Sequence, residues 1–329
     1  MKNKIIDVLG VTLAIFGLLL IGCKNDKGNQ IKNKKLYETV GEIERLHPDI
    51  NDIISKDAKI EVIASGLTWA EGPLWVQSHN MLLCSDVKMD KIYKWTEAEG
   101  LSVYIEPSGF TGSSTDSREK GSNGLVIAPD GSLVMCQHGN RQIARMDASL
   151  KSPLSKFEVI SNSYNGMKFN SPNDLIYDRK GNLYFTDPPY GLSEEMMNDP
   201  KKELPFQGIY KYTVEKELIL MSAEVSRPNG LALSTNEDKM YVANTDAKQA
   251  QWLEFELVED TLINKKVIYD ATHLIGKEIG FPDGVKVDNK GNIFTAGPGG
   301  LWIFSKDHQL LGKIKSDYWT SNCLSLIHI

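Results

Sequence analysis

Trp69-Ala-Glu-Gly-Pro-Leu-Trp75 is the first of a series of related phrases. It is followed by Ser122-Asn-Gly-Leu-Val126, Ser171-Pro-Asn-Asp-Leu175, Arg227-Pro-Asn-Gly-Leu231 and Phe281-Pro-Asp-Gly-Val285. Each sets one oxygen-bearing side chain just before a Gly or Asp and an apolar run: Glu71, Asn123, Asn173, Asn229 and Asp283, at steps of 52, 50, 56 and 54 residues. A shorter sixth copy, Thr320-Ser-Asn322, comes 39 residues later. Repetition at this period marks stacked supersecondary units. Radial stacking would bring these side chains to one axis, which is a route to a hard-cation site.

After each phrase the sequence reads strand, tight turn, strand. The clearest copies are Leu125–Met135, Leu175–Thr186 and Val285–Thr295, with Pro129-Asp-Gly131 and Asp178-Arg-Lys-Gly181 supplying hairpin turns. Third strands are predicted at Lys91–Trp95, Gln142–Met146, Gly208–Tyr212 and Gly300–Phe304, and a fourth strand at Lys156–Ile160. Four antiparallel strands in about 50 residues make a propeller blade. No long 3.6-residue period supports an α-solenoid between residues 58 and 320. A β-sandwich leaves the fixed phase of the polar residue unexplained. The expected fold class is therefore all-β, a six-bladed β-propeller around a central divalent cation, with the last blade truncated.

Lys+Arg 37 against Asp+Glu 43 gives a net charge of −6 with no basic stripe, which argues against a nucleic-acid partner. Lys2 and Lys4 precede a 15-residue apolar run, Val8–Gly22, of secretory length, ending in Leu20-Ile-Gly-Cys23. That ending resembles a bacterial lipobox, with Cys23 as the lipidated residue. The expected organisation is a lipoprotein signal peptide at 1–22, a tether at 23–40, the propeller at 41–323 and a non-native tail at 324–329. The last hexapeptide, Leu324-Ser-Leu-Ile-His-Ile329, reads as a translated sequencing adapter. Bare edges are expected beside the incomplete blade, at Lys59–Ala64 and on the fifth blade around Leu301, Trp302 and Phe304. The implied location is an exported lipoprotein, membrane-anchored in the periplasm or on the cell surface, and a monomer. Cys84 and Cys136 read as buried small hydrophobes.

Together with Phe185-Thr-Asp-Pro-Pro-Tyr-Gly191, the phrases at 69–75, 171–175, 227–231 and 282–284 resemble the gluconolactonase branch of the SMP-30/gluconolactonase/regucalcin-like family. The resemblance covers about residues 40–323. It implies a divalent cation, usually Ca²⁺, and hydrolysis of a sugar lactone or other cyclic ester. It also implies that Glu71, Asn229 and Asp283 are core ligands, that Asn173 contacts metal, substrate or both, and that Asp283 doubles as general base. All-oxygen donors suit Ca²⁺ or Mg²⁺ better than Zn²⁺.

Further candidates carry open alternatives. His138, in Cys136-Gln-His-Gly-Asn-Arg141, resembles a pocket-facing position, or is a rim histidine; sequence assigns it no carboxylate orienter. Asn123 lines the pocket or caps a strand. Arg141 binds substrate oxygens or forms a loop salt bridge. Tyr190 walls the pocket or packs. Asp174 and Asp187 hold a second cation or make local turns, the latter preferred. Met196-Met197 sits in a polar insertion, Ser193–Pro205, able to cap the channel. The sequence lacks G-x-S-x-G, H-E-x-x-H, Walker A and G-x-G-x-x-G motifs. Three functions compete: a Ca²⁺-dependent lactonase, a non-catalytic binding propeller, and an esterase or phosphotriesterase on the same site.

Overall fold

The computed structural model describes residues 36–113 and 116–325. The signal-peptide and lipobox expectations, Cys23 included, lie outside these residues. Within them the chain forms a β-propeller with five four-stranded antiparallel sheets in sequence order. The first blade is Ala70–Val76, Met81–Asp86, Lys91–Thr96 and Gly100–Ile105, and the second is Ser122–Ile127, Leu133–Gln137, Gln142–Met146 and Phe157–Ser161. The third is Leu175–Tyr177, Leu183–Asp187, Gly208–Tyr212 and Leu218–Ser222, and the fourth is Pro228–Leu233, Lys239–Asp246, Gln249–Val258 and Thr261–Asp270. The fifth is Val285–Val287, Ile293–Gly297, Gly300–Phe304 and Leu310–Lys315, and its outer edge gains Glu42–Arg45 as a fifth strand.

Strand alternation builds the core. Leu183 and Phe185 face the second blade while Tyr184 faces the fourth, as period 2 requires. Met135 packs toward the first blade and Val134 and Cys136 toward the third. Cys84 and Cys136 are buried and unpaired, as read from the sequence.

The sixth station differs from the expectation. Among the described residues there is no sixth four-stranded sheet. The segment Ser316–Cys323 spans from the fifth blade to the first: Ser321 Oγ donates to Ala70 O, and Gly284 N donates to Ser321 O. The expected bare edges are also covered. Trp302 and Phe304 are buried against Trp252 and Tyr241 of the fourth blade. The other face of the fifth blade, at Ile303 and Leu311, is packed by Ile50 and Ile54 of the N-terminal segment. Ile60–Val62 pairs with Glu38–Val40. Ordered strand thus begins inside the segment read as tether, because the apolar side chains of residues 43–60 have a face to bury.

Candidate metal centre and active site

The phrases meet around the axis. A Cβ on Gly72 would lie 2.2 Å from Asn123 O, one on Gly124 2.8 Å from Asn173 O, and one on Gly230 2.5 Å from Asp283 O. A Cβ on Gly284 would meet the Asn322 side chain at 2.3 Å, and Asn322 Nδ2 donates to Glu71 Oε2 at 3.2 Å. Between the third and fourth phrases Asp174 stands where the others carry Gly. There Thr186 Oγ1 donates to Asn229 O at 2.7 Å and Leu231 N donates to Asp174 Oδ2 at 3.3 Å. The ring is therefore closed; Gly72, Gly124 and Gly230 are fixed by backbone approach from a neighbouring phrase, and Gly284 by the Asn322 side chain. Second-strand polar groups hold the phrases in place. Asp86 accepts from Thr68 N and Trp69 N, Asp187 from Asn170 N and Ser171 N, and Asn244 from Arg227 N.

Glu71, Asn123, Asn173, Asn229 and Asp283 are all 3–6% exposed. Among the described residues the side-chain amides of these three Asn residues have no hydrogen-bond partner. Asp283 Oδ1 is buried and unpartnered. Burial lifts the Glu71 carboxyl to about 8, opposed by the Asn322 hydrogen bond and reinforced by the charges of Asp174 and Glu119. Burial also raises Asp283 well above the ordinary carboxylate range, with Glu71, Glu119 and Asp174 adding to the effect. Two buried carboxylates that repel each other, beside amides without partners, form a site short of positive charge.

Among the described residues no three His, Cys, Asp or Glu side chains stand together as a ready-made metal cluster. The candidate set is instead two carboxylates completed by amide oxygens. That donor chemistry fits a hard cation, and the orphaned Asp283 oxygen is the kind of group such an ion would satisfy.

The remaining candidates come from irregular segments. His138 is fully buried, with neither ring nitrogen hydrogen-bonded, and its Nδ1 lies 3.5 Å from Glu119 Oε2. The Tyr190 hydroxyl is buried with no well-formed hydrogen bond, and burial raises it. The charges of Asp283 and Glu119 raise it further. A Cβ on Gly191, next to Tyr190, would touch the Cβ of His138 at 2.7 Å.

Arg141 is occupied otherwise than expected for a substrate ligand. Its Nε donates to Phe169 O and Asn170 O, and its Nη1 to Lys201 O, so it brackets loops through carbonyls and forms no salt bridge among the described residues. Asp187 and Asp174 make local amide bonds, and Asp174 also meets Lys286 Nζ at 3.6 Å. The Ser193–Pro205 insertion packs on the loop that carries Glu119: Arg118 N donates to Leu192 O, and Lys201 pairs with Asp116. Sequence reading missed Glu119. It lies in Ser117-Arg-Glu-Lys120, a charged stretch outside the repeat with no periodic signal.

A model of the SMP-30/Gluconolactonase/LRE-like region matches residues 69–325. A gluconolactonase of Zymomonas mobilis is 36% identical over 291 residues, covering 87% of this chain and 80% of that protein. The structure of a gluconolactonase from Xanthomonas campestris superposes with a TM-score of 0.73 at 27% identity, covering 88% of this chain and 92% of the other. A calcium-binding regucalcin of Agrobacterium tumefaciens shares the fold, with a TM-score of 0.57 at 15% identity, covering 77% of each chain.

Proposed function

The chain belongs to the SMP-30/gluconolactonase/LRE-like family, and from that premise we propose that it hydrolyses a sugar lactone at the ring of phrases. Glu71, Asn173, Asn229 and Asp283 would hold a divalent cation there, Ca²⁺ in the first instance. The observation that carries this reading is the set of buried oxygen donors at equal phase, among which Asp283 Oδ1 has no partner among the described residues. A non-catalytic scaffold has no need of two repelling carboxylates in a dry centre.

When bound, the cation would polarise the lactone carbonyl and lower the pKa of a bound water. The protein's own groups do the rest. Asn123 and Tyr190 line the space where the ring sits. A carboxylate committed to a cation is a poor base, so Asp283 serves as a ligand and proton transfer falls to His138. The test is turnover of a panel of sugar and aliphatic lactones, simple esters and phosphotriesters, with and without chelator. Lactone opening that chelator abolishes and Ca²⁺ restores is the expected result. Turnover that survives chelator overturns the metal role, preference for phosphotriesters or simple esters favours the esterase reading, and no turnover at all favours a binding propeller.

A further inference from the structure

We propose that Glu119 is the positioning residue for His138, fixing its imidazole so that Nε2 serves the reacting centre. This rests on the lactone-hydrolysis reading. His138 is fully buried, and the only acidic partner it has among the described residues is Glu119, 3.5 Å from Nδ1. That separation is long for a hydrogen bond, as such contacts often are before substrate binds. Glu119 is itself 7% exposed and has Arg118 Nη2 at 3.7 Å from its other oxygen. A carboxylate facing Nδ1 places the imidazole proton there and leaves Nε2 as the acceptor. Nε2 is buried and without a protein partner. The pair stands beside the ring of phrases: His138 N donates to Gly121 O, just before the second phrase, and a Cβ on Gly191 would lie 2.7 Å from the Cβ of both His138 and Ser171 of the third.

The chemistry balances as two proton movements. Nε2 takes a proton from water as the water oxygen bonds to the lactone carbonyl carbon. It returns that proton to the ring oxygen as the acyl C–O bond breaks, so one water is consumed and one hydroxy acid is released. Glu119 neither gives up nor takes a proton in these steps and holds the imidazole in register.

The experiment has a spectroscopic arm and a kinetic arm. Two-bond ¹H–¹⁵N spectra of the wild-type protein, with His138 assigned by its loss in His138→Asn, should show the Nδ1-protonated tautomer. In Glu119→Gln that preference should weaken. On a lactone that the wild type turns over, Glu119→Gln should lower kcat about 10–100-fold, with KM changed less than about threefold. Glu119→Asp should recover part of the loss, and the Ca²⁺ affinity measured by calorimetry should match the wild type. An Nε2-protonated His138 in the wild type, or an unchanged kcat in Glu119→Gln, overturns the proposal. If Glu119→Gln fails to fold, the wild-type tautomer and the Glu119→Asp kinetics decide. If the wild type opens no lactone, the lactonase reading fails separately, and the tautomer spectra alone decide whether Glu119 orients His138.

Discussion

Around the axis, the first five phrases each set a buried oxygen donor at the same point, and neighbouring phrases press on one another through backbone or side chain. The segments that carry Glu119 and Tyr190 repeat nothing, yet they meet at His138: Glu119 Oε2 lies 3.5 Å from its Nδ1, and a Cβ on Gly191 would lie 2.7 Å from its Cβ. The first region would supply cation ligands, which must converge symmetrically. The second would supply substrate and proton-transfer groups, which must be asymmetric because the substrate is. Repetition suits the first task, and insertion into the repeat suits the second.

The sharpest way to break this division is Asp283→Ala. It should cut lactone turnover by about 10³-fold and weaken Ca²⁺ binding in calorimetry as well. Loss of turnover with unchanged Ca²⁺ affinity would move Asp283 from the ligand set to the proton-transfer set.

A second test uses pH on the cation-free protein. Glu71 is protonated in the folded state up to about 8, whereas an unfolded carboxyl titrates near 4.5. The folded chain therefore binds more protons across this window. Stability is fully present below pH 4.5 and falls as pH rises toward 8, by several kcal/mol at ~1.4 kcal/mol per pH unit. Asp283 is shifted in the same direction and adds to the trend. Thermal melts from pH 5 to 8.5 in chelator should show the decline, and Ca²⁺ should flatten it. A flat profile in chelator would mean that the ring carboxylates are not buried without a counter-charge.

A third test compares glycines at the axis and at the rim. Gly230→Ala would drive a Cβ to 2.5 Å from Asp283 O, a backbone atom with no room to move. The cost should be about 3 kcal/mol, and Ca²⁺ binding should suffer with it. Gly131→Ala, in a hairpin turn at φ +85° with open space around it, should cost only about 1 kcal/mol. Denaturant melts that rank the two alike would show that the ring does not depend on close approach.

The smallest effect is expected at Arg141. Arg141→Lys removes a fork from backbone carbonyls and should lower stability by about 2 kcal/mol, with KM for lactone within twofold of wild type. An unchanged melting temperature with a tenfold higher KM would return Arg141 to the substrate.

Much of the architecture was legible because a blade is local. The strand at Gly208–Tyr212 and the turn at Gly131 are written in contiguous residues, through alternation and turn chemistry. The shared phase of Glu71, Asn173, Asn229 and Asp283 was legible too, and the structure buries all four. Arg141 was left between two readings, because a guanidinium reads the same in sequence whether it meets substrate oxygens or the carbonyls of Phe169 and Asn170. Glu119 was invisible for the converse reason: no period marks a carboxylate whose partner lies 19 residues away across a loop.

The sequence alone determined that this chain repeats a strand-rich unit and sets one oxygen donor at the same point of each, because periodicity and turn chemistry are properties of neighbouring residues. Only the tertiary structure decided how the sixth station is filled, with Ser321 and Asn322 reaching Ala70 and Glu71 across 251 residues, and with Ile50 and Ile54 covering the fifth blade. It alone brought Glu119 to His138. The physical reason is the same in each case: burial and hydrogen-bond satisfaction are settled by whichever groups the closed ring brings together, whatever their separation along the chain.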